Sequence, residues 1–91
     1  MEYAVGQVVY SKCGHDKGKA FIVTAVEDEY LWIVDGKSRT VDKPKRKKTK
    51  HVQVTGFLVD EIKNKIENEE YILNADFIKA IKKFGDKSRA Q

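Results

Sequence analysis

The residues best suited to chemistry are cations concentrated in one short window. Between residues 37 and 50 the chain carries eight Lys and Arg side chains against one carboxylate, a local net charge of +7. These cations are Lys37, Arg39, Lys43, Lys45, Arg46, Lys47, Lys48 and Lys50. Because polyanions respond to the local field more than to the total charge, here only +4, the window favours binding to phosphates. Lysine outnumbers arginine six to two, and since lysine acts as a point charge, backbone contact is favoured over reading of base edges.

The segment Lys12–Lys19 is a second candidate contact surface, predicted to be a loop. Gly14 and Gly18 supply the positive φ angles that such a turn needs, and they let the backbone approach a phosphate closely. His15 would stack on a base or bond a phosphate. The candidate contact side chains of this loop are Lys12, His15, Lys17 and Lys19.

Both segments also have simpler interpretations. The basic window is alternatively a solvated loop, a flexible spacer or a contact for another acidic partner. In the loop, the glycines would then only form the turn, and Asp16 would neutralise a neighbouring cation.

Neither catalysis nor metal binding is expected. No Ser or Cys lies in an activated arrangement, and Gly14 to Gly18-Lys19 is one residue shorter than a P-loop, with no Ser or Thr after the lysine. Cys13, His15 and His51 are three candidate ligands without a C-x-x-C pair, which is too few for structural zinc. We therefore predict a protein that is not an enzyme and that has no cofactor.

Five short strands must position these segments. Residues rich in β-branched and aromatic types, separated by glycine and acidic turns, predict strands at 5–11, 19–27, 30–35, 39–41 and 51–54. Gly36 completes a strong turn pair with Asp35, and residues 43–50 are predicted to be a loop. An open sheet of this size would expose its edges, so the pattern predicts a small antiparallel five-stranded barrel.

The hydrophobic period changes to a helical one after Gly56. It predicts helices at 57–69 and 75–84, with Asn74 as N-cap of the second helix and Gly85 at its end. We expect a barrel over residues 1–56 and a helical extension over 57–91 that packs on it. The helices would bury Leu31 or Trp32, or would alternatively bind a partner. The strand aromatics, which either pack or form stacking platforms for unpaired bases, are Tyr10, Tyr30 and Trp32.

Part of the chain resembles the KOW motif, a strand, a glycine-containing loop and a second strand within an SH3-like barrel. The likeness is carried by Val5-Gly6-Gln7-Val8-Val9, Gly14, Gly18-Lys19 and the strand ending at Val26, where Gly18 matches the motif's glycine. It extends through residues 31–36 and 50–57. Over residues 5–57 the chain is similar to the KOW domain of the fourteen-e type of eukaryotic and archaeal large-subunit ribosomal protein, and to short bacterial stand-alone KOW proteins.

The resemblance implies an SH3-like barrel that presents the glycine loop and the basic loop to RNA. Two features depart from the ribosomal family: the run 43–50 is more basic than the matching loop, and the last 35 residues do not resemble that family's long basic helical tail. The fold and RNA binding are therefore better supported by the resemblance than a fixed position in a ribosome.

Length and composition limit the function further. Ninety-one residues suffice for one small domain, no apolar run reaches 18 residues, and the single Cys13 fits a reducing compartment. Without a secretory signal pattern at the N-terminus, we expect a cytoplasmic protein that is monomeric when free. The expected function is electrostatic docking on structured, ribosomal RNA, with ribosomal proteins as possible neighbours. The alternative is a protein-interaction module that acts as a transcription or translation accessory factor, and charge alone does not distinguish RNA from DNA.

Overall fold

The computed structural model describes residues 3–89, which contain five antiparallel strands and two helices. The strands are β1 (Gln7–Ser11), β2 (Ala20–Glu27), β3 (Tyr30–Val34), β4 (Lys45–Lys48) and β5 (Val52–Leu58). A 3-10 turn, Thr49–His51, joins β4 to β5. The helices are α1 (Asp60–Glu67) and α2 (Asn74–Arg89).

The strands form one sheet in the order β4-β3-β2-β1-β5. β1 to β4 follow one another as a meander, and β5 returns to pair with β1, where Val52 lies opposite Ser11. Within residues 3–89 no ladder joins β4 to β5, so the sheet is open between these two edges. The predicted mainly β class with C-terminal helices is confirmed, whereas closure into a barrel is not shown.

Both faces of the sheet bury apolar side chains. One face holds a cluster made only by strands, and Val52 of β5 packs there with Leu31 and Ile33 of β3, although β3 and β5 are separated by two strands. The full cluster is Val9, Phe21, Val23, Leu31, Ile33 and Val52. The sheet must therefore coil around this face. A register shift between Val23 and Ala25 in β2 adds to the bend.

The two helices cover the opposite face. Val8, Ile22 and Val34 alternate with the strand-only cluster along their strands, and they pack against helical side chains instead. The helical members are Ile62, Phe77 and Phe84. The expectation that the helices bury Leu31 or Trp32 is wrong, since Leu31 belongs to the strand-only cluster and the partly buried Trp32 belongs to neither.

The fourth strand lies in a different place from the predicted one. Residues 39–41 contribute only an isolated bridge between Thr40 and Lys43, while the run Lys45–Lys48, predicted to be a loop, is β4. Lys and Arg have little intrinsic preference for strands. Pairing with the extended β3 overrides that weak preference, because strand formation depends mainly on the partner strand and the packing around it.

The helix boundaries also differ from the prediction. Phe57 and Leu58 continue β5, so α1 begins only at Asp60. Gly85 does not end α2, because its backbone stays helical and the helix continues to Arg89. Asn74, predicted to precede α2 as its N-cap, is instead the first residue of the helix, and its side chain bonds Val41.

At the start of α2, the side chains of Asn74 and Asp76 each accept a backbone N–H from outside the helix. The Asn74 Oδ1 atom accepts the backbone N–H of Val41 at 2.8 Å. The carboxylate of Asp76 accepts the backbone N–H of Leu73 at 2.9 Å, which closes the first turn of the helix. This contact also lowers the pKa of Asp76, helped by the charge of Lys65.

Candidate nucleic-acid interface

The two predicted basic segments lie side by side, because three contacts join them. The Asp16 carboxylate is 3.4 Å from the guanidinium of Arg39. The Nζ atom of Lys47 donates to the carbonyl oxygen of Cys13 at 2.9 Å, and the backbone N–H of Lys12 donates to the carbonyl of His51 at 2.8 Å. We call residues 12–19 together with residues 35–51 the basic surface.

The glycine loop has the conformation that the sequence predicts. Gly14 and Gly18 have φ angles of +81° and +86°, a region that L side chains rarely adopt. A Cβ atom built on either would meet nothing within 4 Å, so the backbone here faces open space. The loop's four candidate contact residues are all exposed: Lys12, His15, Lys17 and Lys19.

Two cations of the window are held by the protein itself. Arg39 pairs with Asp16, a buried residue only 7% exposed, so the interpretation that Asp16 neutralises a neighbour is confirmed. Lys47 donates to the hydroxyl of Ser11 at 2.6 Å as well as to Cys13, and Ser11 is also buried. Arg39 and Lys47 therefore join the parts of the basic surface.

Asp35 shapes the loop that carries Lys37. Its carboxylate accepts the backbone N–H groups of Lys37 and Arg39 at 2.9 and 2.8 Å and the hydroxyl of Ser38 at 2.9 Å. Partial burial raises the pKa of Asp35, but these donors together outweigh it and lower the pKa. Gly36, with φ +86°, lies against α2, where a Cβ atom would be 2.4 Å from the Asn74 carbonyl oxygen.

The four basic residues of β4 point to two faces of the sheet. Lys45 and Lys47 are opposite Ile33 and Leu31, on the side of the strand-only cluster, and both are partly buried. Arg46 and Lys48 are exposed on the opposite side of β4, which we call the outer side. Alternation along a strand thus divides a run that looks uniform in the sequence.

On the outer side, two cations lie near the ring of Tyr30. The guanidinium carbon of Arg46 is 3.7 Å from the ring centroid, and the Nζ atom of Lys48 is 6.0 Å from it. Trp32 is the cross-strand neighbour of Arg46. In the sequence these residues belong to a predicted loop and a predicted strand, and their contact arises only from the β3–β4 register.

Most of the remaining charge is unpaired. Among residues whose side chains the structure describes, the ion pairs are Arg39–Asp16 and Lys65–Asp76. The basic surface carries 11 Lys and Arg against three Asp, a net charge of +8, and the rest of the chain has a net charge of −4. Nine of the 11 cations form neither an ion pair nor a tether with any side chain that the structure describes: Lys12, Lys17, Lys19, Lys37, Lys43, Lys45, Arg46, Lys48 and Lys50.

One cation near this surface was missed in the sequence. Lys82 of α2 lines a shallow pocket together with Lys19 and Lys37. The sequence shows only a lysine near the end of a helix. Its position beside the basic surface follows from the packing of α2 on the sheet, which the sequence does not reveal.

Other chemistry finds little support in the described part of the chain. No three His, Cys, Asp or Glu side chains of residues 3–89 come together as a metal site. None of the described helices has the length and apolar character needed to span a membrane.

The exposed apolar side chains include Tyr71 and Leu73 in the linker between α1 and α2, which are 84% and 50% exposed.

Comparisons with known proteins do not assign the chain to a family. Neither a family model nor a curated protein matches its sequence. The charges and contacts of the basic surface are therefore the observations from which function is inferred.

Proposed function

We propose that this chain is a cytoplasmic RNA-binding protein that docks electrostatically on structured, ribosomal RNA. The observation that carries the proposal is the basic surface, where nine cations lie on adjoining segments without an ion pair or tether to any described side chain. Like charges held this close repel one another, and phosphates relieve the repulsion when they bind and release counterions. The free chain is a monomer, has no catalytic role, and has ribosomal proteins as neighbours when bound.

We also propose that the sheet is an SH3-like barrel of the KOW type. Three features support this: β5 returns to pair with β1, β3 and β5 share one apolar cluster, and the β1–β2 loop contains glycines with positive φ. In this arrangement Lys47 of β4 bonds Ser11 at the end of β1 and Cys13 just after it, so β4 is tied to a strand that is not its neighbour in the sheet. RNA shape, more than base edges, determines specificity on such a surface.

Salt-dependent binding of matched variants tests the proposal. Lys48→Gln with Lys50→Gln removes two exposed charges from the basic surface, and Lys79→Gln with Lys83→Gln removes two exposed charges from α2. Both variants lose the same net charge. The probe is a fluorescein-labelled ribosomal RNA hairpin, and its affinity is measured by anisotropy at several salt concentrations.

The surface variant should bind the hairpin far more weakly than the control. At 0.1 M salt two phosphate contacts contribute about 25- to 60-fold to affinity, and their loss flattens the log–log salt slope by about 1.5. The control should stay within about twofold of the native chain. Equal losses in both variants, or no loss in either, would contradict docking through the basic surface. Competition with a DNA duplex of the same length determines whether A-form RNA is preferred.

A protein-interaction module is the second candidate function, and the exposed side chains of Tyr71 and Leu73 favour it. On this alternative an apolar contact, and not the lysines, controls binding. RNA binding that is weak and independent of salt, together with a binding partner whose affinity falls on Tyr71→Ala, would support the alternative over RNA docking.

A further inference from the structure

The outer side of β3 and β4 combines aromatic rings with an arginine that is available to solvent. Tyr30 and Trp32 point to this side and are partly buried, yet neither belongs to the two apolar clusters. Arg46 lies over Tyr30 at 3.7 Å and is exposed. Because Tyr30 and Trp32 belong to neither core cluster, core packing does not account for these aromatic residues.

We propose that an unpaired RNA base stacks on the Arg46 guanidinium, which Tyr30 holds flat from below. This inference rests on the proposed RNA binding and adds to it a defined site for one nucleotide. Guanidinium groups are planar and stack on aromatic faces, so Arg46 with Tyr30 beneath it leaves its second face for a base. Unpaired bases of folded RNA stack in this way on arginine and aromatic side chains.

The surrounding charges suit the rest of the nucleotide. Lys48 is next to the same ring, with its Nζ atom 6.0 Å from the centroid, and Lys50 follows two residues later. Neither forms an ion pair in the described part of the chain. A phosphate that flanks the stacked base would meet these ammonium groups. A paired base is excluded, because its faces are covered by its neighbours in the helix.

The residue type at position 46 agrees with this role. Position 46 holds the only arginine of the run Lys45–Lys50, and its side chain lies on the aromatic side of β4. A lysine there would supply the same charge without a plane. The alternative is that Arg46 only packs on Tyr30 and stabilises the edge of the sheet, and in that case RNA with and without unpaired bases would bind alike.

The single tryptophan makes the site directly observable. Trp32 is the only Trp of the chain and is the cross-strand neighbour of Arg46. We would compare a fully paired, blunt-ended RNA duplex with a duplex that carries a single-base bulge and the same number of phosphates. Anisotropy of the labelled RNA reports affinity, and Trp32 emission reports stacking near β4.

Arg46→Lys is the decisive variant, because it keeps the charge and removes the plane. Stacking predicts that it weakens binding to the bulged RNA about 5- to 100-fold, leaves the paired RNA within about twofold, and leaves the salt slope unchanged. The bulged RNA should change Trp32 emission in the native chain, and the paired RNA should not. Tyr30→Leu should act like Arg46→Lys, with Tyr71→Leu as a matched control on an exposed linker tyrosine.

The results distinguish failure of the stacking site from failure of RNA docking itself. Equal effects of Arg46→Lys on both RNAs, or no effect on either, would overturn the stacking site while salt-dependent RNA binding stands. Absence of salt-dependent binding to both RNAs by the native chain would refute RNA docking and the stacking site together. If Tyr30→Leu does not fold by circular dichroism, Arg46→Lys and the Trp32 signal of the native chain still give the answer.

Discussion

Replacement of Lys47 by methionine should destabilise the fold, although its neighbour Lys48 tolerates the same change. The Lys47 Nζ atom donates to the Ser11 hydroxyl at 2.6 Å and to the Cys13 carbonyl at 2.9 Å, so it connects β4 to the end of β1. Lys48 points outward and is exposed. Methionine keeps most of the apolar length of the side chain, so the change removes mainly the ammonium group and its two hydrogen bonds.

The size of the effect follows from these bonds. Hydrogen bonds from charged groups contribute about 1.5–3 kcal/mol each, and partial exposure of Lys47 reduces that value. The buried Ser11 hydroxyl still donates to the Cys13 carbonyl at 3.1 Å after the change, so no donor loses its partner. We therefore expect Lys47→Met to lower the free energy of unfolding by about 1–2 kcal/mol. For a domain of this size that corresponds to a fall in Tm of about 5–15 °C.

Thermal unfolding and RNA affinity, measured on Lys47→Met and Lys48→Met, test this reasoning. Lys48→Met should change the unfolding free energy by less than about 0.5 kcal/mol, as exposed substitutions usually do, and should weaken RNA binding. Lys47→Met should lower the unfolding free energy more than Lys48→Met does, and should weaken RNA binding less. Equal Tm values for the two variants would refute the assignment of Lys47 as a tether, as would a greater loss of RNA affinity in Lys47→Met at an unchanged Tm.

Two further changes give distinct expected outcomes. Gly14→Ala should lower the free energy of unfolding, measured in urea, by about 1–2 kcal/mol, the usual cost of a Cβ on a left-handed residue. Gly36→Ala should lower it clearly more, because its Cβ would be 2.4 Å from the Asn74 carbonyl oxygen. Equal costs would contradict the close packing of Gly36 on α2. Asp35→Asn should lower Tm at pH 7. The folded pKa of Asp35 lies below its ordinary value of 3.8, so the stabilisation by its carboxylate is present above pH 3.8 and disappears as the pH falls through the lowered pKa. The Tm values of the variant and of the native chain should therefore converge below that pH. A difference in Tm that stays constant with pH would contradict this.

The turns and the positions of the first three strands could be predicted from local sequence. Gly14, Gly18 and Gly36 all adopt positive φ, since the turn geometry alone demands it. The meander strands β1, β2 and β3 lie within the predicted segments, because each has a distinctive run of β-branched and aromatic residues. These features depend on near neighbours in the chain, which a sequence displays directly.

For the candidate site, the sequence could predict which residues take part but not the contacts that they make. The sequence identifies the cations of the basic surface, but which of them are free depends on contacts over long separations. Arg39 meets Asp16 across 23 residues, and Lys47 meets Ser11 across 36. The strand state of Lys45–Lys48 depends in the same way on the partner β3, so charge density alone led to the prediction of a loop.

Edge protection is a second explanation for a strand of four basic residues, and it accounts for only part of the charge. β4 is an edge strand of the open sheet, and lysines on such edges prevent pairing with other chains. This reason does not extend to the loop lysines of residues 12–19, which belong to no edge strand. Arg39 and Lys47 hold that loop against the basic edge in spite of like-charge repulsion. A fold that needed only edge protection would gain stability by separating these charges, so their enforced proximity favours a bound polyanion.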